Sequence, residues 1–361
     1  MKKTLFAALV AALLCSCGSS ETKLTKGSLS KMDTLSYAMG VNIATSFDYQ
    51  MGDIPFDVKA IEKGIQEGAL DKASMTHEEA IEQLRDYFST KRPVRAQQIA
   101  ADRAQQDSIR LAQGDSTKVE YPRADQAMFE SEEEREALSY AVGLDLGTNM
   151  RQAPYALQLV WVCKGVTEGM NKTATMSPEE SNQFLQHHFM VTVPAQNKEA
   201  SEKWLAQIEK KSGVQKTESG LLYKVIKMGD QSKMAVSDSD RVTVHYTGRT
   251  REGKVFDTSI FANRPKEQQK MILEQDPTAA DGDEPITFNL DQVISGWTEG
   301  MKLIGVGGKI KLWIPSELAY GQRGAGGDIG PNDALEFEVE LLDVTLSNPP
   351  APAPEEPAAE E

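Results

Sequence analysis

Cysteine is scarce in this chain. There are three in 361 residues, and two of them, Cys15 and Cys17, lie at the front. Only Cys163 remains in the body, so no disulfide framework can form there. It ends the apolar run Leu157 to Cys163, which marks a core thiol rather than a nucleophile. Basic charge is also in deficit. Lys and Arg total 39 against 54 for Asp and Glu, a formal net charge of −15. A chain that acidic is a poor binder of nucleic acid. The apolar run at the front, Leu5 to Leu14, is too short to span a bilayer. Gly324-Ala325-Gly326-Gly327 lacks the Gly-Lys-Ser ending of a phosphate loop. His187 and His188 are adjacent, so on a helix they point about 100° apart and share no metal. The sequence offers no nucleophile–base pair, no metal cluster and no cofactor motif.

What is present begins with an address. Met1-Lys2-Lys3 and the short apolar run form a secretory signal. Leu14-Cys15-Ser16-Cys17 then resembles a bacterial lipobox, with residues 1–16 removed and Cys17 acylated; an ordinary signal cleaved nearby is the alternative. Several acyl chains together give stable anchoring. Loss of Lys2 and Lys3 takes the mature charge from −15 to −17. The resulting expectation is a lipid-anchored protein of the cell envelope, at the outer membrane facing the periplasm, with surface display as the variant. Residues 17–30 read as a tether. The Pro-, Ala- and Glu-rich residues 348–361 read as a disordered tail.

The middle holds a repeat. Leu35-Ser36-Tyr37-Ala38-Met39-Gly40 recurs 103 residues on as Leu138-Ser139-Tyr140-Ala141-Val142-Gly143. Lys63-Gly64-Ile65-Gln66-Glu67-Gly68 recurs after 101 as Lys164-Gly165-Val166-Thr167-Glu168-Gly169, and the stretches from Ser74 and Thr175 keep that offset. Each copy reads as three helices, the third opened by a capping box, Thr76 with Glu79 or Ser177 with Glu180. Module 1 is placed at 31–93 and module 2, with a connecting helix, at 131–212. The charged linker 94–130 reads as partly helical around Ala96 to Leu111. In the connecting helix Trp204, Leu205 and Ile208 form one stripe.

The last third alternates with period two. Val242, Val244 and Tyr246; Ile310, Leu312 and Ile314; and Leu335, Phe337, Val339 and Leu341 each alternate with polar residues, apart from Trp313. Leu221, Tyr223 and Val225 make a shorter run. This is the pattern of an antiparallel sheet with one buried and one wet face. Ser295 is placed to cap a short helix that carries Trp297 and Met301 on one face. Residues 213–347 therefore form one α+β domain, an antiparallel sheet wrapped on a short helix, preceded by two all-α modules.

Five strings in this region fix its kinship: Val244-His245-Tyr246-Thr247-Gly248, Phe256-Asp257-Thr258-Ser259, Val293-Ile294-Ser295-Gly296-Trp297, Leu318-Ala319-Tyr320-Gly321 and Phe337 to Leu341. In this order and spacing they resemble the FKBP family of peptidyl-prolyl isomerases. The helical repeat resembles the dimerisation region of FkpA- and Mip-like bacterial members of that family. The resemblance implies that Tyr246, Phe256 and Phe337 are pocket walls and Trp297 its floor. It implies that Asp257 is a carboxylate beside the pocket and that the Tyr320 hydroxyl reaches a substrate carbonyl. Val293 and Ile294 would contact the ligand backbone, the Ile294 amide donating. Ile286 and Ile329 would complete substrate binding, Ile329 from a flap. Such an apolar pocket suits a proline ring and its amide. Rotation about X–Pro faces a barrier of roughly 18–20 kcal/mol set by resonance. A desolvating pocket that favours the twisted amide lowers it without a covalent step.

Three features depart from the pattern. The segment between Phe256 and Phe288 is long. Ile286 and Ala325 stand where other members place an aromatic and, in some, a histidine. And the helical module occurs twice, so the copies either pair within one chain as a pseudo-dimer or each find a twin in a homodimer. The partners expected are unfolded or X–Pro-containing polypeptides and a membrane reached through lipid. The function expected is isomerase-assisted folding of envelope proteins. The alternatives are a holdase chaperone whose isomerase domain is secondary, and an assembly lipoprotein that uses the fold only for docking.

Overall fold

A computed structural model describes residues 24–29, 32–52, 54–115, 129–151, 156–280 and 282–348. The signal and lipobox with Cys17, the linker residues 116–128 and the tail from 349 lie outside the described residues. Two compact units emerge, residues 1–191 and 192–361.

The first unit is helical. Its elements are α1 (Thr34–Met51), α2 (Val58–Ala69), α3 (His77–Asp86), α4 (Arg92–Ala112), α5 (Glu132–Met150), α6 (Leu159–Met170) and α7 (Pro178–His187). A strand β1 (Leu24–Thr25) pairs in parallel with β2 (Leu157–Gln158). Side chains start most of the helices. Asp33, Asp57 and Ser131 accept from first-turn amides, and both expected capping boxes, at Thr76 and Ser177, are formed. Each repeat continues past its third helix into a π-helical turn, Tyr87–Lys91 or His188–Thr192, at the same 101-residue offset. The expected boundary at 93/94 therefore falls inside a helix, because Pro93 sits in the first turn of α4, where its missing N–H costs nothing. The expected tether is also partly structured. Val160 N–H donates to Lys26 C=O, and Trp161 Nε1 to Ser28 C=O.

The helices pair across the repeats. α1 packs on α6 and α7, and α5 packs on α2 and α3. The first helix of each repeat thus lies on the second and third of the other. Glycine permits the approach. A Cβ on Gly143 would lie 2.1 Å from the Ile61 carbonyl oxygen, and one on Gly165 would lie 2.3 Å from that of Tyr37. Polar contacts repeat with the same symmetry. Tyr37 donates to Glu168 and Tyr140 to Glu67, each at 2.6 Å. Ser36 Oγ accepts from Gln158 N–H and Ser139 Oγ from Asp57 N–H. Ile61, Ile65, Leu138, Leu144, Val162 and Val166 are fully buried between the repeats. Cys163 is among them, its thiol pushed up to about 12 by burial and by Glu62.

The second unit opens with α8 (Val193–Glu209) and then builds a sheet from β3 (Gln215–Lys216), β4 (Leu222–Lys227), β6 (Arg241–Thr250), β7 (Val255–Thr258), β8 (Ile286–Asn289), β10 (Lys309–Ile314) and β11 (Leu335–Thr345). Its order is β3-β4-β10-β11-β6-β7, with β8 also on β6, and the pairings are antiparallel. A separate pair joins β5 (Asp230–Met234) to β9 (Gly305–Val306). The period-two residues read from sequence face one core. Val242, Val244, Ile310, Leu312, Ile314, Leu335, Val339 and Leu341 are completely buried there. The unit also holds two short helices, α9 (Lys266–Gln275) and α10 (Ser295–Gly300), of which α10 packs on β10.

Two expectations change here. The outer face of the sheet is not uniformly wet, because Leu222 and Trp313 are buried on it beneath Trp204, Leu205 and Ile208 of α8, the connecting helix. Ser295 is the first residue of α10, not its cap; Ile294 precedes it and no side chain caps the helix.

Candidate active site

The site is assembled from strands whose register is fixed by the core. β6 presents Tyr246 and Gly248 on its inner face, opposite Val339 and Phe337 of β11. With no side chain at Gly248, the rings of Phe256 and Phe337 take its space; a Cβ there would lie 2.7 Å from both. Trp297, delivered by α10, sits in the middle. Its ring lies edge-on to Tyr246 at 5.2 Å, to Phe337 at 5.2 Å and to Phe288 at 5.3 Å between centroids. Phe256 meets Phe337 at 5.6 Å and 88°. Edge-to-face pairs at this spacing are favourable beyond the area they bury. Tyr246, Trp297 and Phe337 are each buried, and Phe256, Val293 and Ile294 half-buried against the same core.

Polar groups stand at the margin. Tyr246 donates to Asp257 Oδ2 at 2.5 Å, while the Asp257 side chain is otherwise exposed. Burial and that carboxylate push the Tyr246 phenol far above its ordinary range. Burial and the Asp257 charge raise Tyr320 as well. Both hydroxyls therefore remain donors across neutral pH. Tyr320 is 39 % exposed, in the loop after β10. The N–H of Ile294 meets no acceptor among the described residues. Ile329 is buried in the flap, held in a two-way backbone bridge with Ala325.

Ile286 stands apart. It is 41 % exposed on β8, paired with Val244, and the ring beside Trp297 belongs to Phe288 two residues on. The sequence does not single out Phe288: Ile286 and Phe288 stand two apart on one strand, point to one face, and cannot be ranked by pattern. Thr258 and Ser259, the end of the Phe256–Ser259 string, have backbone roles that sequence does not reveal. Thr258 Oγ1 donates to Tyr246 C=O at 2.8 Å, and Tyr246 N–H donates to Ser259 Oγ at 2.9 Å. They hold the backbone of the residue whose hydroxyl meets Asp257. The long Phe256–Phe288 segment carries the exposed helix α9, which buries no residue, and its ends are tied by Phe261 N–H to Asp283 and Asn263 to Thr247.

Residues 232–342 match the family described as FKBP-type peptidyl-prolyl cis-trans isomerase. The domain amino terminal to FKBP-type peptidyl-prolyl isomerase matches twice, at 32–116 and 135–225. An FKBP-type peptidyl-prolyl cis-trans isomerase FkpA of Aeromonas hydrophila is 39 % identical over 244 residues, which is 63 % of this chain and 81 % of that one. The outer membrane protein MIP of Legionella longbeachae is 32 % identical over 58 % of this chain and 86 % of its own. FkpA of Escherichia coli K12 is 34 % identical over 60 % and 78 %. The fold and these matches define a peptidyl-prolyl cis-trans isomerase, and the chain belongs to the FKBP-type family of those enzymes.

Proposed function

We propose that this enzyme isomerises X–Pro bonds in unfolded polypeptides of the cell envelope, using the ring cluster around Trp297 as its pocket. The proline ring would rest on Trp297 between Tyr246, Phe256 and Phe337. The twisted amide, less polar than the planar one, is favoured once water is excluded. The Ile294 N–H and the Tyr320 hydroxyl are the donors for substrate carbonyls, and Asp257 holds Tyr246 in place. The carrying observation is the edge-on packing of Tyr246 and Phe337 against Trp297, with the Tyr246 hydroxyl on Asp257. NMR-detected exchange of an X–Pro peptide tests this. Tyr246→Ala and Trp297→Ala should each lose most of the rate while the sheet stays folded. A folded Trp297→Ala variant at wild-type rate would sink the pocket assignment.

Placement in the envelope rests on the signal, the lipobox at Cys17 and a relative named as an outer membrane protein. Among the described residues no helix is long and apolar enough to cross a membrane, and on this reading the acyl chains are the anchor. We further propose that the two helical modules satisfy each other within one chain, so that one chain carries one isomerase domain. The reciprocal packing of α1 on α6 and of α2 on α5 supports it. Light scattering of the soluble mature chain should give a monomer mass; a dimer mass overturns the idea.

A client-holding role is the second reading. Tyr49, 90 % exposed, and Met190, 72 % exposed, are apolar surface on the helical unit. Suppression of aggregation by residues 18–212 alone would favour it, and its absence would remove it.

A further inference from the structure

We propose that α8 is a positioning element of the isomerase: its Asn197–Ser201 face latches the flap that carries Tyr320 and Ile329. The proposal rests on the pocket reading above. Ser201 is 4 % exposed, unusual for a serine in the middle of an amphipathic helix, and its hydroxyl is fully engaged. It donates to Asn332 C=O at 2.9 Å and accepts from Ala334 N–H at 3.0 Å and from Arg251 Nη1 at 3.1 Å. One turn earlier, Asn197 Nδ2 donates to Pro331 C=O at 3.0 Å, and Arg251 Nη1 donates to Asn197 C=O at 2.9 Å. Asn332 returns the contact, its Nδ2 donating to Pro194 C=O at 3.1 Å.

Every one of these partners is at the root of the flap or beside it. Asn332 N–H donates to Gly321 C=O at 2.8 Å, which closes the neck of the loop next to Tyr320. Gly330, adjacent to Ile329, donates to Asp333 Oδ2 at 2.7 Å, and Asp333 pairs with Arg251 at 3.3 Å. Asn332 is held at φ +61°, a left-handed conformation that Asn tolerates better than most residues. The contact is also tight, since a Cβ on Gly330 would lie 2.8 Å from Asn197 Nδ2.

The helix that leads into the domain therefore fixes the loop that closes the site. A flap released from it spends less time in the binding-competent arrangement. Apparent affinity falls by the fraction of time lost, while the rate at saturation is kept.

The test uses the full mature chain with Ser201→Ala, Asn197→Ala and Asn332→Gly. The last is compatible with the left-handed backbone and removes the side-chain bond to Pro194, so it stays informative if Ser201→Ala folds poorly. Two quantities are read where all variants are folded: amide exchange at Gly330, Asp333 and Ala334, and kcat and KM for an X–Pro peptide. The expected result is faster exchange in the flap and a KM raised about tenfold at a kcat within twofold of wild type. Faster flap exchange with unchanged KM makes the contact merely structural and overturns the proposal. Unchanged flap exchange overturns it as well. Wild-type turnover judges the pocket reading, and the variant-to-wild-type ratio judges the latch, so the two fail separately.

Discussion

The helical unit and the isomerase unit bury their cores by opposite routes. In the sheet, alternation along each strand sends Val242, Val244, Ile310 and Leu312 to one face, and that face is closed by elements of the same domain. In the helical unit the principal packing partners come from the other repeat: α1 rests on α6 and α2 on α5. A single module has no closed core of this kind. On the proposed pairing within one chain, duplication would supply the missing half at high effective concentration. The difference is between a domain whose core is written into each strand and a module whose core is written into its copy.

That contrast can be broken most strongly at a glycine contact. Gly143→Ala would gain about 1 kcal/mol of helix propensity if the position were open. It is closed, with Ile61 C=O 2.1 Å from the new Cβ, and a backbone carbonyl cannot rotate away. Overpacking of this kind costs about 1–3 kcal/mol and at times more. A rigid backbone contact belongs at the upper end of that range, so the packing term should win, for a net loss of up to about 2 kcal/mol. Calorimetry of the full chain should show the helical transition lowered and the isomerase transition and activity unchanged. A stabilised variant would show that the repeats are not held as closely as described.

An acid titration sharpens the other side of the comparison. Asp240 is buried in the isomerase unit and would be raised by burial alone. Instead, donors from Ser347, Ser237 and Val236 bring its carboxyl down to about 2. Its folded value lies below its unfolded one, so the stabilisation is full above about pH 4 and is lost as pH falls towards 2. The amount is about 2 kcal/mol at about 1.4 kcal/mol per unit. Asp240→Asn should remove this slope from the isomerase transition. A slope unchanged in the variant would assign acid lability to other carboxylates.

Much of this was legible in sequence, for physical reasons that differ by region. The β6, β10 and β11 core positions were readable because burial of one sheet face forces period two. Tyr246, Phe256, Trp297 and Phe337 were readable as a set through the family resemblance that their strings carry, and the structure brings their rings together. Phe288 was not, because β8 is short and offers two apolar candidates for one place. Ile286 was placed in the site and lies outside the ring cluster. The helix α9 was hidden in Lys266–Gln275, which buries nothing and so has no periodic face to read. The repeat announced two modules, but periodicity alone left open whether each copy pairs with its neighbour or with a second chain. The latch at Asn197 and Ser201 was invisible for a related reason. Polar residues on a helix look like a solvated face until a loop distant in sequence is found hydrogen-bonded to them.

The smallest expected effect is none at all, and it is informative for that reason. Twisting an amide transfers no proton, so the mechanism needs no group to change charge during turnover. The hydroxyls nearest the site, Tyr246 and Tyr320, are both raised above the ordinary phenol range, Tyr246 by burial and Asp257, Tyr320 by burial and the same charge. Neither should ionise below pH 9. The kcat/KM for an X–Pro peptide is accordingly expected to be flat from pH 6 to 9, measured against the pH-independent uncatalysed rate. A fall towards pH 9 would mean that one phenol is less buried than its surroundings indicate.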